Sequence, residues 1–316
     1  MAVTPQTDFV EIECDDATTM RADIVVLATG NAAPAYPAVV TPTIAAHSRC
    51  IVDPWGEGQL QRIVSGTVVT IGTGLTFVDV AMSVLNAGAA SVIGVSRHGL
   101  LPAAHTHVEH PPALPELHTP REVLHWLRHN RHAWREAMNG LRTITQLLWS
   151  EFSDLQRRQF LRHAHRYWEV HRHRIASDVA FEISQFMSSG KLSIQKSSVL
   201  TISMIDDSTL GIELNNGNII VADWLVLCTG PSDADALRVQ PLQRLIRDGH
   251  AEVGPQGMGV NCDPRNGALI NSLGEVSAKI FVVGGLRKGM LWETTAIPEI
   301  HVQADQLGRM LSSDRI

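Results

Sequence analysis

The chain has 316 residues, 44% of them hydrophobic, and a formal net charge of −6. That length can hold two domains with real cores, and the composition excludes a disordered chain or a generally basic nucleic-acid binder. No apolar run approaches the ~18 residues of a membrane span, the opening residues do not read as a signal peptide, and Cys14, Cys50, Cys228 and Cys262 lie far apart without a C-x-x-C. The cysteine spacing argues against a disulfide framework, a zinc knuckle or a redox-active dithiol, and it suits a reducing cytoplasm, the compartment expected here.

Taken in order, Asp8–Cys14 alternates as a strand, residues 15–18 make a polar turn, and Arg21–Leu27 reads as a second strand ending at Ala28-Thr29-Gly30. The most informative stretch follows. Thr67–Ile71 is a β-branched apolar run and Gly72-Thr73-Gly74 breaks it. Leu75–Leu85 then carries a helical pattern up to Gly88, and Ser91–Val95 forms another strand. Strand, glycine turn, helix and strand within about thirty residues make a βαβ unit with a phosphate turn. Gly72 permits the tight turn, while Gly74 lets the backbone approach a pyrophosphate at the helix N-terminus.

Phe77 stands where a third glycine would complete G-x-G-x-x-G, so the helix must pack differently on its strand. The acidic residue that usually binds a ribose 2′-hydroxyl is absent; Ser96 and Arg97 occupy that strand end. A hydroxyl and a guanidinium suit a 2′-phosphate and favour NADP(H) over NAD(H).

Residues 101–120 are rich in Pro and His and read as a crossing loop. Thr119, Pro120 and Glu122 then open a helical region that runs to about Met187, expected as two or three helices broken near Asn139-Gly140 and Ser150–Ser153. Residues 121–174 hold eleven arginines against five acidic residues. That excess is either an electropositive face attracting NADPH or an anionic substrate, or a solvated helix surface. No nucleic-acid-binding motif accompanies it. Twelve of the fifteen histidines lie between His98 and His173. The runs His105-x-His107-x-x-His110, His125-x-x-x-His129 and His163-x-His165 have ligand-like spacing, but the H-E-x-x-H base is missing, and no metal site is expected.

Strands and a hairpin follow at Leu192–Leu200, Leu210–Leu214 and Ile219–Val221, with a turn at Asn215-Asn216-Gly217. The segment Ala222–Gly230 then repeats Ala22–Gly30 at six of nine positions, and each copy follows an alternating hairpin, which implies two related domains. Beyond it, Asp233–Ile246 reads as a modest helix and Gly257–Val260 as a strand. Lys279–Val283 forms a strand before Gly284-Gly285, residues 292–297 form a loop, and Ile300–Leu311 is amphipathic, with Pro298 and Glu299 suited to its first turn.

Two A-T-G-like strand ends, a turn of the form G-x-G-x-[ST]-x-x-D (Gly72, Gly74, Thr76, Asp79) and the final glycine pair, loop and helix resemble the flavoprotein oxidoreductases with two dinucleotide-binding domains, including flavin-containing monooxygenases and N-hydroxylases. The resemblance implies an α/β fold: a Rossmann-like NAD(P)-binding domain over 61–230 with a helical insertion at 110–190, and an incomplete FAD-binding Rossmann-like domain from 1–60 and 231–316. It implies NADP(H) contacts at Gly72, Thr73, Gly74, Leu75, Thr76, Asp79, Ser96, Arg97 and Gly230. FAD contacts fall to Thr29, Gly30, Gly284, Gly285, Thr295, Ala296 and Ile297, with no catalytic side chain named. The family's N-terminal G-x-G-x-x-G unit does not precede Asp8, so the FAD site is expected to be partial. The function implied is NAD(P)H-dependent flavoprotein oxidation of monooxygenase type on a small-molecule substrate, without nucleic acid or membrane. The alternative is a non-catalytic nucleotide-binding module or inactive remnant.

Overall fold

The computed structural model describes residues 1–34, 36–106 and 111–313, and these divide into two compact units. The first comprises Met1–Ala32, His110–Ala164 and Ser232–Ile316; the second comprises Ala33–Glu109 and His165–Pro231. These boundaries differ from those anticipated. Residues 33–60 group with the second unit because Cys50–Ile51 pairs in parallel with Trp224–Leu227. The helices from Pro120 to His163 group with the first because their aromatic side chains pack on Trp292. No helix among the described residues is long and apolar enough to cross a membrane.

The second unit is built on a five-stranded parallel sheet in the order Cys50–Ile51, Trp224–Leu227, Thr67–Ile71, Ser91–Ser96, Leu192–Lys196. Val68, Val69 and Thr70 are fully buried, as the continuous apolar run of a two-sided strand requires. The helix Leu75–Ala87 returns over the sheet and stops at Gly88, whose left-handed backbone lets its N–H reach the Leu85 and Val84 carbonyls. Phe77 explains how this helix packs without the third glycine. Its ring is fully buried, and a Cβ on Gly94 of the neighbouring strand would lie 2.8 Å from it. The close contact that glycine usually permits on the helix is here permitted by glycine on the strand.

The repeated segment has a shared architecture. In the second unit the antiparallel strands Val199–Met204, Leu210–Leu214 and Ile219–Ala222 lead through a bend at Asp223 into Trp224–Leu227. In the first, Ala2–Pro5, Val10–Glu13 and Thr19–Ala22 form the same meander and lead through a bend at Asp23 into Val25–Leu27. The run Arg21–Leu27, expected as one strand, is therefore the ends of two, and Val25–Leu27 joins Val276–Val282 in parallel. Ala268–Ile270 completes that sheet antiparallel, over a core that includes Val3, Val10, Leu27, Leu245, Val260 and Val282.

Other local expectations are corrected. The helical region of the first unit is four helices: Pro120–His129, Trp134–Arg142, Thr145–Glu151 and Asp154–His163. Thr119 with Glu122, and Ser153 with Gln156, form capping boxes. Asn139-Gly140 does not break a helix. Gly140 sits inside Trp134–Arg142, where a Cβ would meet Pro111 at 3.1 Å. His165–Arg172 and Ser177–Ser188 belong to the second unit. Asp233–Ile246 is two short helices, Asp233–Ala236 and Leu242–Arg247, because Pro241 cannot occupy a helix interior. Gly257–Val260 is not a strand: Pro255–Gly257 turns as a 3₁₀ helix, and Val260 makes only an isolated bridge to Val253.

The first unit's helices grip one short segment. Trp149 Nε1 donates to the Gly289 carbonyl at 2.9 Å, and its ring stacks on Trp292 with centroids 5.0 Å apart. Phe160 meets Trp292 edge-on at 5.4 Å. Gln146 donates to the Glu293 carbonyl at 2.7 Å, and Arg142 pairs with Glu299 at 3.0 Å. Between these anchors Trp292 adopts φ 66°, ψ −71°, and the Glu293 N–H reaches back to the Leu291 carbonyl at 2.9 Å. This is the rare, strained γ-turn, which persists only when its surroundings over-determine it.

Two stability measurements test these contacts. Gly94→Ala is expected to lower the urea-unfolding free energy by ~1–3 kcal/mol through overpacking against Phe77, and Phe77→Leu in the same chain should restore part of the loss. Trp149→Ala removes a buried ring and its hydrogen bond and should lower it by ~3–5 kcal/mol, with Trp149→Phe intermediate.

Candidate functional site

The turn after Thr67–Ile71 is fixed from below. Gly72 has φ 109°, its N–H donates to the Val95 carbonyl at 2.9 Å, and a Cβ there would lie 2.1 Å from the Cys228 carbonyl oxygen. No other residue fits. Thr73 is buried, and its hydroxyl lies 2.6 Å from the Leu100 carbonyl and 2.8 Å from Ser96 Oγ. A carbonyl only accepts, so Thr73 donates to Leu100 and Ser96 donates to Thr73. Ser96 Oγ also accepts the Gly99 N–H at 3.1 Å. Both hydroxyl protons are thus committed to bracing the turn against residues 96–100.

Gly74 has the opposite character. It is the N-cap of Leu75–Ala87, no side chain caps that helix, and the space a Cβ would enter is empty to 4 Å. A helix N-terminus with unpaired N–H groups and an open approach can receive a phosphate. Leu75 is exposed and Thr76 half-buried at its rim, while the Phe77 ring faces the core and leaves the approach open. Asp79 has its carboxyl pushed above the usual range by desolvation, and it adds to the burial that raises the Cys228 thiol. Arg97 is exposed and makes no hydrogen bond or ion pair among the described residues. Gly230 closes this unit's Trp224–Leu227 strand end in a left-handed conformation at φ 75°, and Gly30 does the same in the other unit at φ 70°.

In the first unit, the structure gathers the residues expected to meet a flavin. A Cβ on Gly285 would lie 3.5 Å from Asn31 Oδ1 and 3.8 Å from Thr295 Cγ2, so the strand end after Thr29-Gly30, the glycine pair and the 292–297 loop converge. The Gly284 N–H is already taken, donating to Gln303 Oε1 at 2.9 Å. Thr294 Oγ1 and Gln303 Nε2 are buried without a hydrogen-bond partner among the described residues. Orphaned buried polar atoms of this kind fit a site that a polar ring system completes. Ala296 is half-buried, and Ile297 is exposed at the start of the helix Ile297–Ser313.

Sequence reasoning missed Asn31, although it directly follows the first A-T-G, and Lys196, whose register opposite Ser96 is invisible in a linear chain. The histidines are dispersed. His125 and His129 share one helix face at 5.8 Å, and Glu151 holds a proton on His118, raising its pKa. His165 and His173 both approach Glu169. His107 and His110 lie outside the described residues, and among those described no group of three or more His, Cys, Asp or Glu can hold a metal ion.

No protein-family model and no curated protein matches the chain. Solved structures do. An ornithine hydroxylase from Pseudomonas aeruginosa, in its reduced form, matches 98% of this chain and 69% of its own at 13% identity, with a TM-score of 0.61. A cadaverine monooxygenase from Erwinia amylovora, bound to FAD, matches 97% and 65% at 11% identity and 0.58. A thioredoxin reductase from Lactococcus lactis matches 99% and 72% at 11% identity and 0.54. At these identities the likeness is one of fold, and the fold is that of the FAD/NAD(P)-type oxidoreductases with two dinucleotide-binding domains, as the paired strand ends implied.

Proposed function

We propose that this chain is an NAD(P)H-dependent flavoprotein oxidoreductase of hydroxylase type, with NADP(H) on the Gly72–Gly74 turn and FAD against the Gly284-Gly285 pair and the 292–297 loop. The observation that carries the reading is the empty approach at Gly74, in front of a thirteen-residue helix that no side chain caps. When bound, the reduced nicotinamide supplies a hydride and the flavin accepts it. The chain's own work is positioning. Its helix amides hold a pyrophosphate, Arg97 meets the ribose end, and the clamped 289–299 segment keeps Thr294 and Thr295 in place.

Thiol redox chemistry at Cys50, Cys228 or Cys262 fits this chain poorly. Cys50, Cys228 and Cys262 are buried free thiols, and burial pushes Cys50 and Cys262 up to about 11. A raised thiol stays protonated, and so unreactive, until the pH nears that value. In the folded protein at pH 8, iodoacetamide should therefore modify Cys14 and leave Cys50, Cys228 and Cys262 unlabelled by peptide mass mapping.

The decisive experiment is nucleotide binding followed by reduction. Gly74→Val sets its Cβ in open space, so it should lower the unfolding free energy by no more than about 1–2 kcal/mol through the poorer N-cap, and should weaken NADPH binding at least a hundredfold by calorimetry. With FAD added, NADPH should bleach the flavin's visible band in the wild type and not in the variant. Binding without bleaching would identify a nucleotide-binding module without turnover, and no binding would reject the reading.

A further inference from the structure

The Ser96 hydroxyl was the natural second partner, beside Arg97, for a phosphate on the ribose, but its proton already goes to Thr73. A dianion flanked by a single exposed guanidinium leaves part of its charge to water alone. The next strand end supplies another cation. Leu192–Lys196 runs parallel to Ser91–Ser96, and the two terminal residues, Ser96 and Lys196, are register partners. Partners in adjacent strands carry their Cβ atoms to the same face of the sheet, one strand spacing apart. Ser96 points to the face bearing the phosphate turn, since its hydroxyl reaches Thr73, and Lys196 therefore starts on that face too.

The stem of Lys196 is also held in place. A Cβ on Gly99 would lie 2.9 Å from Lys196 Cβ and 3.5 Å from its Cγ, so the turn after Arg97 rests on the first carbons of the lysine. Gly99 has φ 61°, which keeps that turn tight over the stem. Lys196 is exposed, and its side chain has no hydrogen bond or ion pair among the described residues; the same holds for the side chain of Arg97. Two uncommitted cations thus stand at the carboxyl ends of neighbouring parallel strands, where open α/β sheets bind their ligands.

We propose that Lys196 is a specificity-determining residue of the nucleotide site, forming with Arg97 a two-cation bracket for the 2′-phosphate of NADP(H). The inference rests on the nucleotide reading above and adds to it a residue from a strand outside the βαβ unit. Arg97 gives a planar, forked contact, and Lys196 gives a point charge on a flexible stem whose base is fixed.

The test compares NADPH, NADH and 2′-AMP by equilibrium titration on the full chain. Lys196→Met keeps the stem that packs on Gly99 and removes only the charge. It is expected to weaken NADPH and 2′-AMP about tenfold or more while leaving NADH within about twofold, as loss of one charge-assisted contact requires. The preference for NADPH should fall further in Arg97→Met/Lys196→Met and lose its dependence on salt. Unchanged NADPH affinity in Lys196→Met, with preference lost in Arg97→Met, would overturn the role of Lys196 and leave the nucleotide site standing. An equal loss for NADPH and NADH would show a structural effect and overturn it too. Failure of the wild type to bind either dinucleotide would overturn the nucleotide reading and this inference together.

Discussion

The second unit is organised by the approach of two main chains. The strand Trp224–Leu227 passes so close to the end of Thr67–Ile71 that the Cys228 carbonyl fills the place of a side chain at position 72. The same junction is tied by the Cys228 N–H to the Ile71 carbonyl at 2.8 Å. With Gly72 pinned there, the backbone has one way to leave the sheet. It turns Thr73 inward onto Leu100 and Ser96 and brings Gly74 to the head of the following helix, which no side chain caps. The turn is a consequence of strand packing: Gly72 answers to a neighbouring backbone, and Gly74, two residues on, heads a helix with open space before it.

Much of this was legible in the linear chain because it is local. The β-branched run, the glycine turn, the Gly88 stop and the Asn215-Asn216-Gly217 hairpin each announce themselves within a few residues. The internal repeat was legible too, and with it the pairing of similar units. What stayed hidden was long-range. Nothing in residues 33–60 says that Cys50–Ile51 will extend the sheet beside Trp224–Leu227, and nothing near Trp149 says that its partner is Trp292. One boundary was blurred as well: Arg21–Leu27 reads as one strand, whereas a bend at Asp23, as at Asp223 in the second copy, separates the meander from the parallel strand.

The helices between Pro120 and His163 gain a role from these contacts. Their arginines and histidines suggested a charged face, yet their most consequential atoms are an indole, an amide and one guanidinium, which fasten the segment from Gly289 to Glu299. A left-handed tryptophan needs such support, because its backbone conformation is unfavourable on its own. The residues that follow it, Thr294 and Thr295, inherit their placement from that support. The helical region is therefore part of the first unit's core architecture and helps shape the segment that converges with the glycine pair.

The one-way hydrogen-bond chain from Ser96 through Thr73 to Leu100 has a wider meaning. It separates the chain's duties. The hydroxyls of Thr73 and Ser96 and the backbone of Gly72 serve the scaffold, while Arg97 beside them stands exposed and takes no part in that bracing. Exchange of the exposed Arg97 would therefore leave every hydrogen bond that braces the turn in place.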